Sequence, residues 1–263
     1  MTMHHAAELR VGSTDRFGVE WSRYPELRPA YRTQLLDWIT PLVLADFQNK
    51  MVLDAGCGMG RNSYWIAEAG ARRVVACDLD ERTLAAARRT LARFRNAEVV
   101  ACSVYALPWR DLFDVVISIG VIHHLEDPGR AVANLVAATK PGGTILVWVY
   151  AHEGNERLLR FLRPLRTITS RLPTSITHTV AYLCSAPLYV LLRLRQTRHP
   201  YAQRMHTWTF RHLHAVVFDQ LLPRIARYWT NAEARALFAG LPVTSVRTTW
   251  VNRNSWSIVA QRL

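Results

Sequence analysis

The chain has 263 residues, half of them apolar, and carries 33 Lys and Arg against 20 Asp and Glu, a formal net charge of +13. That length and apolar fraction suit one substantial core with an insertion better than two independent domains, and they exclude a disordered or fibrous chain. Four scattered cysteines, Cys57, Cys77, Cys102 and Cys184, have neither metal-ligand spacing nor the density of a disulfide framework, and residues 1–10 do not read as a signal peptide, so a reducing cytoplasm is expected.

Residues 1–49 form an N-terminal segment with an aromatic stretch from Phe17 to Pro25 that includes Trp21 and Tyr24. It is expected either to close over a ligand or to pack as ordinary helix. Next comes the most informative run. Met51 to Asp54 is a short apolar stretch of the kind that lies inside a parallel sheet, and Gly56, Gly58 and Gly60 follow it. Glycines there let the backbone turn sharply and approach a ligand without Cβ interference. A helix over about residues 62–69 should follow, and a second buried strand, Val74 to Cys77, ends in Asp78. A ligand is therefore expected at the carboxyl end of the first strand, with the Asp78 carboxylate accepting hydrogen bonds from a ribose diol.

Two ligand classes compete for such a turn. A dinucleotide fingerprint needs G-x-G-x-x-G, and in the frame that starts at Gly56 the third glycine is replaced by Arg61; the frame from Gly58 reaches Ser63. The fingerprint is broken. The pattern Val52-Leu53-Asp54-Ala55-Gly56-Cys57-Gly58-Met59-Gly60 with Asp78 resembles instead the cofactor signature of class I S-adenosylmethionine-dependent methyltransferases of the small-molecule type.

The later elements keep the order that this resemblance implies. Residues 84–94 have helical spacing, 98–103 and 113–118 read as strands, Ile122-His123-His124-Leu125 opens a loop and helix, Lys140-Pro141-Gly142-Gly143 reads as a turn, and 144–150 as the fifth strand. Thr230-Asn231-Ala232-Glu233 is a capping box for a last helix through Phe238, ended by Gly240. Residues 243–250 and 256–262 then flank a hairpin loop. The expected fold is α/β: a Rossmann-like, doubly wound, mostly parallel sheet with a terminal antiparallel hairpin. Residues 50–150 are the cofactor-binding core, 151–229 a helical basic cap, and 230–263 the last helix and hairpin.

The resemblance implies S-adenosylmethionine as cofactor, held by Asp54, Gly56, Gly58, Gly60, Asp78, Leu79, Ser103, Val104 and Ser118. Leu79 would cover the adenine face. At Ser103 the family commonly has Asp; a serine hydroxyl can also accept from the adenine amino group, or it can simply cap the strand end, with Val104 backbone holding the base.

Charge is concentrated in the insertion. Residues 157–218 contain ten Arg and no Asp, Glu or Lys, whereas residues 1–156 hold 17 basic and 18 acidic residues. Arg and Leu or Phe alternate over 158–165, and residues 180–192 are a largely apolar run of 13. This is shorter than the roughly 20 apolar residues a spanning helix needs, so three readings remain: a cap with solvated Arg, a dimer contact, or an interfacial helix on a membrane or amphiphilic substrate. Because 31 of the 33 basic residues are Arg, composition alone can account for part of the pattern.

Methyl transfer from an activated sulfonium mainly requires alignment of the acceptor, with a base where the acceptor needs one. The Asn/Asp-Pro-Pro-aromatic motif of amino-directed enzymes is absent at Ser118-Ile119-Gly120-Val121, and no Cys follows a Pro as cytosine-C5 enzymes require. His124, and less so His123, are the candidate bases, against a purely structural role for the pair. Tyr24, Asp219 and Tyr228 are candidate acceptor contacts, with His199, Tyr201, His206, His212 and His214 nearby in sequence. A small or amphiphilic acceptor with an O, N or S atom is expected. The alternatives are an RNA acceptor, disfavoured by the absence of a recognisable RNA-binding module and of Lys from the basic insertion, and a non-catalytic, membrane-associated cofactor binder.

Overall fold

The computed structural model describes residues 16–19, 26–194 and 199–263. Seven strands form one sheet in the order β3-β2-β1-β4-β5-β7-β6. Strands β1 (Met51–Ala55), β2 (Arg73–Asp78), β3 (Ala97–Ala101), β4 (Phe113–Ile119) and β5 (Thr139–Tyr150) are parallel, while β7 (Ser255–Arg262) runs antiparallel to β5 and to the edge strand β6 (Val243–Val251). The order reverses between β1 and β4, the switch point where open α/β sheets leave a crevice at the carboxyl ends of their strands. This is the Rossmann-like sheet with its terminal hairpin.

Helices cover both faces, which is why β1, β2 and β4 read as continuous apolar runs without alternation. On one face Leu53, Val75, Val116 and Ile145 pack with Val132, Leu135 and Val136 of α4 (Pro128–Ala138). On the other, Val52, Val74, Val115 and Ile117 meet Leu35 of α1 (Pro29–Trp38) and Ile66 of α2 (Arg61–Glu68). Helix α3 (Glu81–Leu91) starts on Asp80, whose side chain accepts from the amides of Arg82 and Thr83. The capping box before α9 (Asn231–Ala236) forms as read, with Thr230 and Glu233 each accepting from the other's backbone amide.

The Lys140–Gly143 turn is not a separate connection between helix and strand. Phe113 pairs with Thr139 and Val115 with Thr144, so the intervening residues bulge out of one long strand, with Gly142 at φ +75°. Proline and two glycines break the register without ending the strand.

Between β5 and α9 the chain forms α5 (Glu156–Thr169), α6 (Thr174–Leu194), α7 (Pro200–Thr207) and α8 (Phe210–Leu221). Leu162, Ala181, Ala215, Phe218, Leu221 and Leu222 make a small core of their own, and Leu192, Trp208 and Leu213 a second. The apolar run of 13 lies inside the 21-residue α6, because Thr, Ser and His before it are uncharged and continue the helix; by length and composition alone α6 could cross a membrane. Yet Thr177, His178, Ala181, Ser185 and Leu192 of this helix are buried against the rest of the cap.

Not all cap arginines are surface charge. Arg166 is buried, donating from Nε to the Gln220 carbonyl (2.8 Å) and from Nη2 to the Tyr228 hydroxyl (3.1 Å). Arg204 pairs with Asp37 and Arg211 with Glu26, joining the cap to the N-terminal region. Buried Arg16 adds a third tie, donating to the carbonyls of Leu172 (3.0 Å) and Thr169 (3.1 Å).

Candidate active site

The glycine loop after β1 forms a cradle. Gly56 and Gly58 sit at φ +81° and +55°, and the amides of Gly56 and Cys57 both donate to the Cys77 carbonyl at 2.8 Å. A Cβ on Gly56 would lie 2.3 Å from Val121 Cγ2, so the turn admits no side chain. At the end of β2, Asp78 accepts from the Gly58 amide (3.0 Å, Oδ2) and the Leu79 amide (2.8 Å, Oδ1). Burial pushes its carboxyl above the usual range while those backbone bonds oppose the shift. Behind the loop, Asp54 accepts from the Ser63 hydroxyl at 2.6 Å through one oxygen, whereas its other oxygen and the Asn62 amide oxygen are buried without a partner. Burial raises Asp54 to about 6.

Above the cradle lies a cavity of about 730 Å³ that runs from Gly56, Gly58, Asp78, Leu79, Ser103 and Val104 to the underside of the cap. Leu158, Leu162 and Leu165 of α5, Leu188 of α6, Met205 of α7 and Val216 of α8 supply its apolar roof. Between floor and roof stand His124, Tyr150, Asp219, Gln220 and Tyr228. His124 comes from the short 3₁₀ turn after β4, and its Nδ1 lies 2.7 Å from the Ile225 carbonyl. A carbonyl only accepts, so Nδ1 carries the proton and Nε2 keeps its lone pair. His124 is 8% exposed; burial lowers its pKa from 6.5 to about 4, and the bond to Ile225 opposes the shift.

Residues 53–147 match the family model described as a methyltransferase domain. The core of this chain belongs to the class I S-adenosylmethionine-dependent methyltransferases. A protein of Mycolicibacterium smegmatis named a probable S-adenosylmethionine-dependent methyltransferase is 39% identical over 97 residues, covering 36% of this chain and 36% of its own. A tRNA U34 carboxymethyltransferase of Mannheimia succiniciproducens is 29% identical over 116 residues, 43% of this chain and 36% of its own. The chain thus spans about a third of the length of these relatives. In fold it is similar to the magnesium protoporphyrin IX methyltransferase of Synechocystis, solved with SAH bound, at a TM-score of 0.55 and 17% identity over 89% of this chain and 84% of the other.

The cofactor of this methyltransferase core is S-adenosylmethionine, and the cradle fits it. A ribose diol needs a carboxylate at the end of β2, where Asp78 lines the cavity; a cationic amino group needs an acceptor near the glycine loop, where the unpartnered Asn62 amide oxygen lies on the wall with the Asp54 carboxylate behind it. Leu79 and Val104 offer apolar surface for a base. Ser103 serves the chain's own turn, its hydroxyl accepting from the Tyr105 amide at 3.1 Å, which leaves its hydrogen to donate.

The structure separates the remaining expected site residues. Gly60 is off the cavity wall: at φ +80° it caps α2, close to Leu91. Ser118 is fully buried and donates to the Ala55 carbonyl at 2.9 Å, tying β4 to β1 rather than touching cofactor space. Asp54 too is off the wall, one layer behind the loop. His123 is off the cavity wall, completely buried against Tyr150 with ring centroids 3.9 Å apart. His206 is exposed and His214 lies in the cap core, whereas His199, Tyr201 and His212 do line the cavity. Tyr24 lies outside the described residues. The sequence reading missed Tyr150, which stacks on Tyr228 at 5.1 Å and accepts from Gln220 Nε2 at 2.8 Å, and Arg61, whose guanidinium lies 5.0 Å from the Tyr31 ring centre. The place of Tyr150 at the end of β5, at the sheet's carboxyl edge, was the available signal.

Proposed function

We propose that this protein transfers the methyl group of S-adenosylmethionine to an O, N or S atom of a small or amphiphilic molecule enclosed beneath the helical cap. The observation that carries this reading is the continuity of the cavity, from the cradle through a band of polar groups to an apolar roof. Such a site favours a guest with a polar end near the cradle and an apolar body under α5 and α6.

When bound, the cofactor supplies an electrophilic methyl group on a sulfonium. The protein's share is alignment and exclusion of water, which together can supply about 7 to 11 kcal/mol. Tyr150 and Tyr228 have raised pKa values, chiefly through burial, and stay neutral hydroxyls at pH 7. They are joined through Gln220, and Arg166 holds Tyr228, so this band is fixed before an acceptor enters. His124 Nε2 is the group placed to take the acceptor's proton, since its tautomer is set by Ile225 and it is unprotonated at neutral pH, although its lowered pKa makes it a weak base.

Incubating the protein with methyl-labelled cofactor and a cell extract, then separating lipid, small polar and nucleic-acid pools, tests the reading. Label in the lipid or small-molecule pool is expected. Label confined to RNA would overturn it in favour of the chemistry named for the tRNA-modifying relatives.

A further inference from the structure

The cap exposes large apolar side chains on two of its helices. On α5, Leu158, Phe161 and Ile168 are exposed, Phe161 to 77%; on α6, Ile176, Leu183, Val190, Leu191 and Leu194 are exposed, Leu183 to 71% and Leu194 to 79%. On α6 these positions recur at helical spacing over most of its 21 residues, on the side away from Thr177, Ala181, Ser185 and Leu192, which face the cap core. Monomeric soluble proteins rarely leave such a surface uncovered.

The charge beside it has one sign. Arg157, Arg160 and Arg163 alternate with Leu158 and Phe161 along α5, and Arg171 follows its end; all four are exposed, and none forms an ion pair among the described residues. Glu156, at the first turn of α5, is the one acid adjoining this run. Apolar side chains flanked by unpaired guanidiniums complement a surface with a hydrocarbon interior and anionic headgroups. A protein partner would need acids placed opposite each Arg; an anionic bilayer meets all of them at once.

Phe161 and Leu158 also belong to the wall of the cavity. The apolar face and the chamber therefore share residues, and these two exposed side chains stand on the chamber's rim.

We propose that the exposed face of α5 and α6 docks on an anionic lipid bilayer, with the cavity rim at Leu158 and Phe161 turned toward the membrane, so that an amphiphile passes between bilayer and chamber. The passage of an acceptor rests on the methyl-transfer reading above; the docking does not. Helix α6 lies on the bilayer and does not cross it, because crossing would tear Thr177, Ala181, Ser185 and Leu192 from the cap core.

Co-sedimentation of the full chain with vesicles of phosphatidylcholine, and with vesicles of equal parts phosphatidylcholine and phosphatidylglycerol, tests the docking. Recovery should be high only with the anionic vesicles at low salt, and should fade as salt screens the charge. The triple variant Arg157→Gln, Arg160→Gln, Arg163→Gln should lose on the order of tenfold or more in partitioning, given the attraction expected per basic residue, and Phe161→Ser should also weaken binding at low salt. Thermal melting and calorimetric titration with S-adenosylmethionine should be unchanged for the triple variant. Equal recovery with neutral and anionic vesicles, absence from both, or retention through alkaline carbonate extraction would overturn the proposal. Loss of cofactor binding in the wild type would strike the methyl-transfer reading instead, leaving the vesicle result to stand by itself.

Discussion

The sheet and the cap are made by different rules. In the sheet, charges are nearly balanced, side chains interlock on both faces, and the family match spans residues 53–147; the cap carries most of the net charge, has two small apolar clusters, and leaves large side chains in solvent. A fixed cofactor demands a fixed cradle, so its glycines and carboxylates fall at positions that a sequence pattern records. An acceptor is met by a roof whose only requirements are shape, an apolar lining and a way in, and many sequences satisfy those. The two regions meet at a seam where the His123 carbonyl accepts from the Arg227 amide at 2.9 Å and His124 Nδ1 donates to the Ile225 carbonyl, both partners lying between α8 and α9 at the end of the cap.

The seam gives the largest expected effect. His124→Gln should lower turnover by about 10² to 10⁴ while cofactor affinity stays, as loss of a general base does. In the wild type, kcat/KM should stay flat at neutral pH and fall only as the pH approaches about 4. The same group affects stability. Its folded pKa lies below its ordinary 6.5, so its contribution is complete above 6.5 and is lost as pH falls through about 4. Chemical denaturation of wild type and His124→Gln over that window should differ by up to about 3 kcal/mol. An unaltered turnover would make the histidine part of the seam and no more.

Breaking the cap alone sharpens the comparison further. Phe218 is fully buried in the cap cluster, and Phe218→Ala should cost about 3 to 5 kcal/mol of packing there. If the regions are energetically distinct, hydrogen exchange should quicken in α5, α6 and α8 while calorimetry finds cofactor affinity intact. Uniform loss of protection across the sheet would show one cooperative unit.

The converse change acts on the sheet. Asp78→Ala leaves the Gly58 and Leu79 amides and the incoming ribose hydroxyls without their acceptor, costing about 1.5 to 3 kcal/mol of cofactor binding. Calorimetry should register that loss with vesicle binding by the cap unchanged; undiminished affinity would remove Asp78 from the ribose site.

By itself the sequence determined the order of strands and helices, the capping box at Thr230, the terminal hairpin, and the cradle residues Gly56, Gly58 and Asp78, because these depend on neighbours a few positions apart: buried runs, positive φ, and a carboxylate ending a strand. It placed Asp54, Gly60 and Ser118 close to the cofactor, but only the tertiary structure decided that they face Ser63, the start of α2 and Ala55. The sequence ranked His124 above His123 as a base without a local reason to separate them, and a 3₁₀ turn divides them, burying one under Tyr150 and setting the other on the cavity wall. Likewise, ten arginines without an acid read as one basic surface, yet Arg166 points inward to Gln220 and Tyr228 while Arg157, Arg160 and Arg163 stay in solvent. Which face of a helix is covered depends on what packs against it, and in the cap those partners lie some 30 to 60 residues away, beyond the reach of any local pattern.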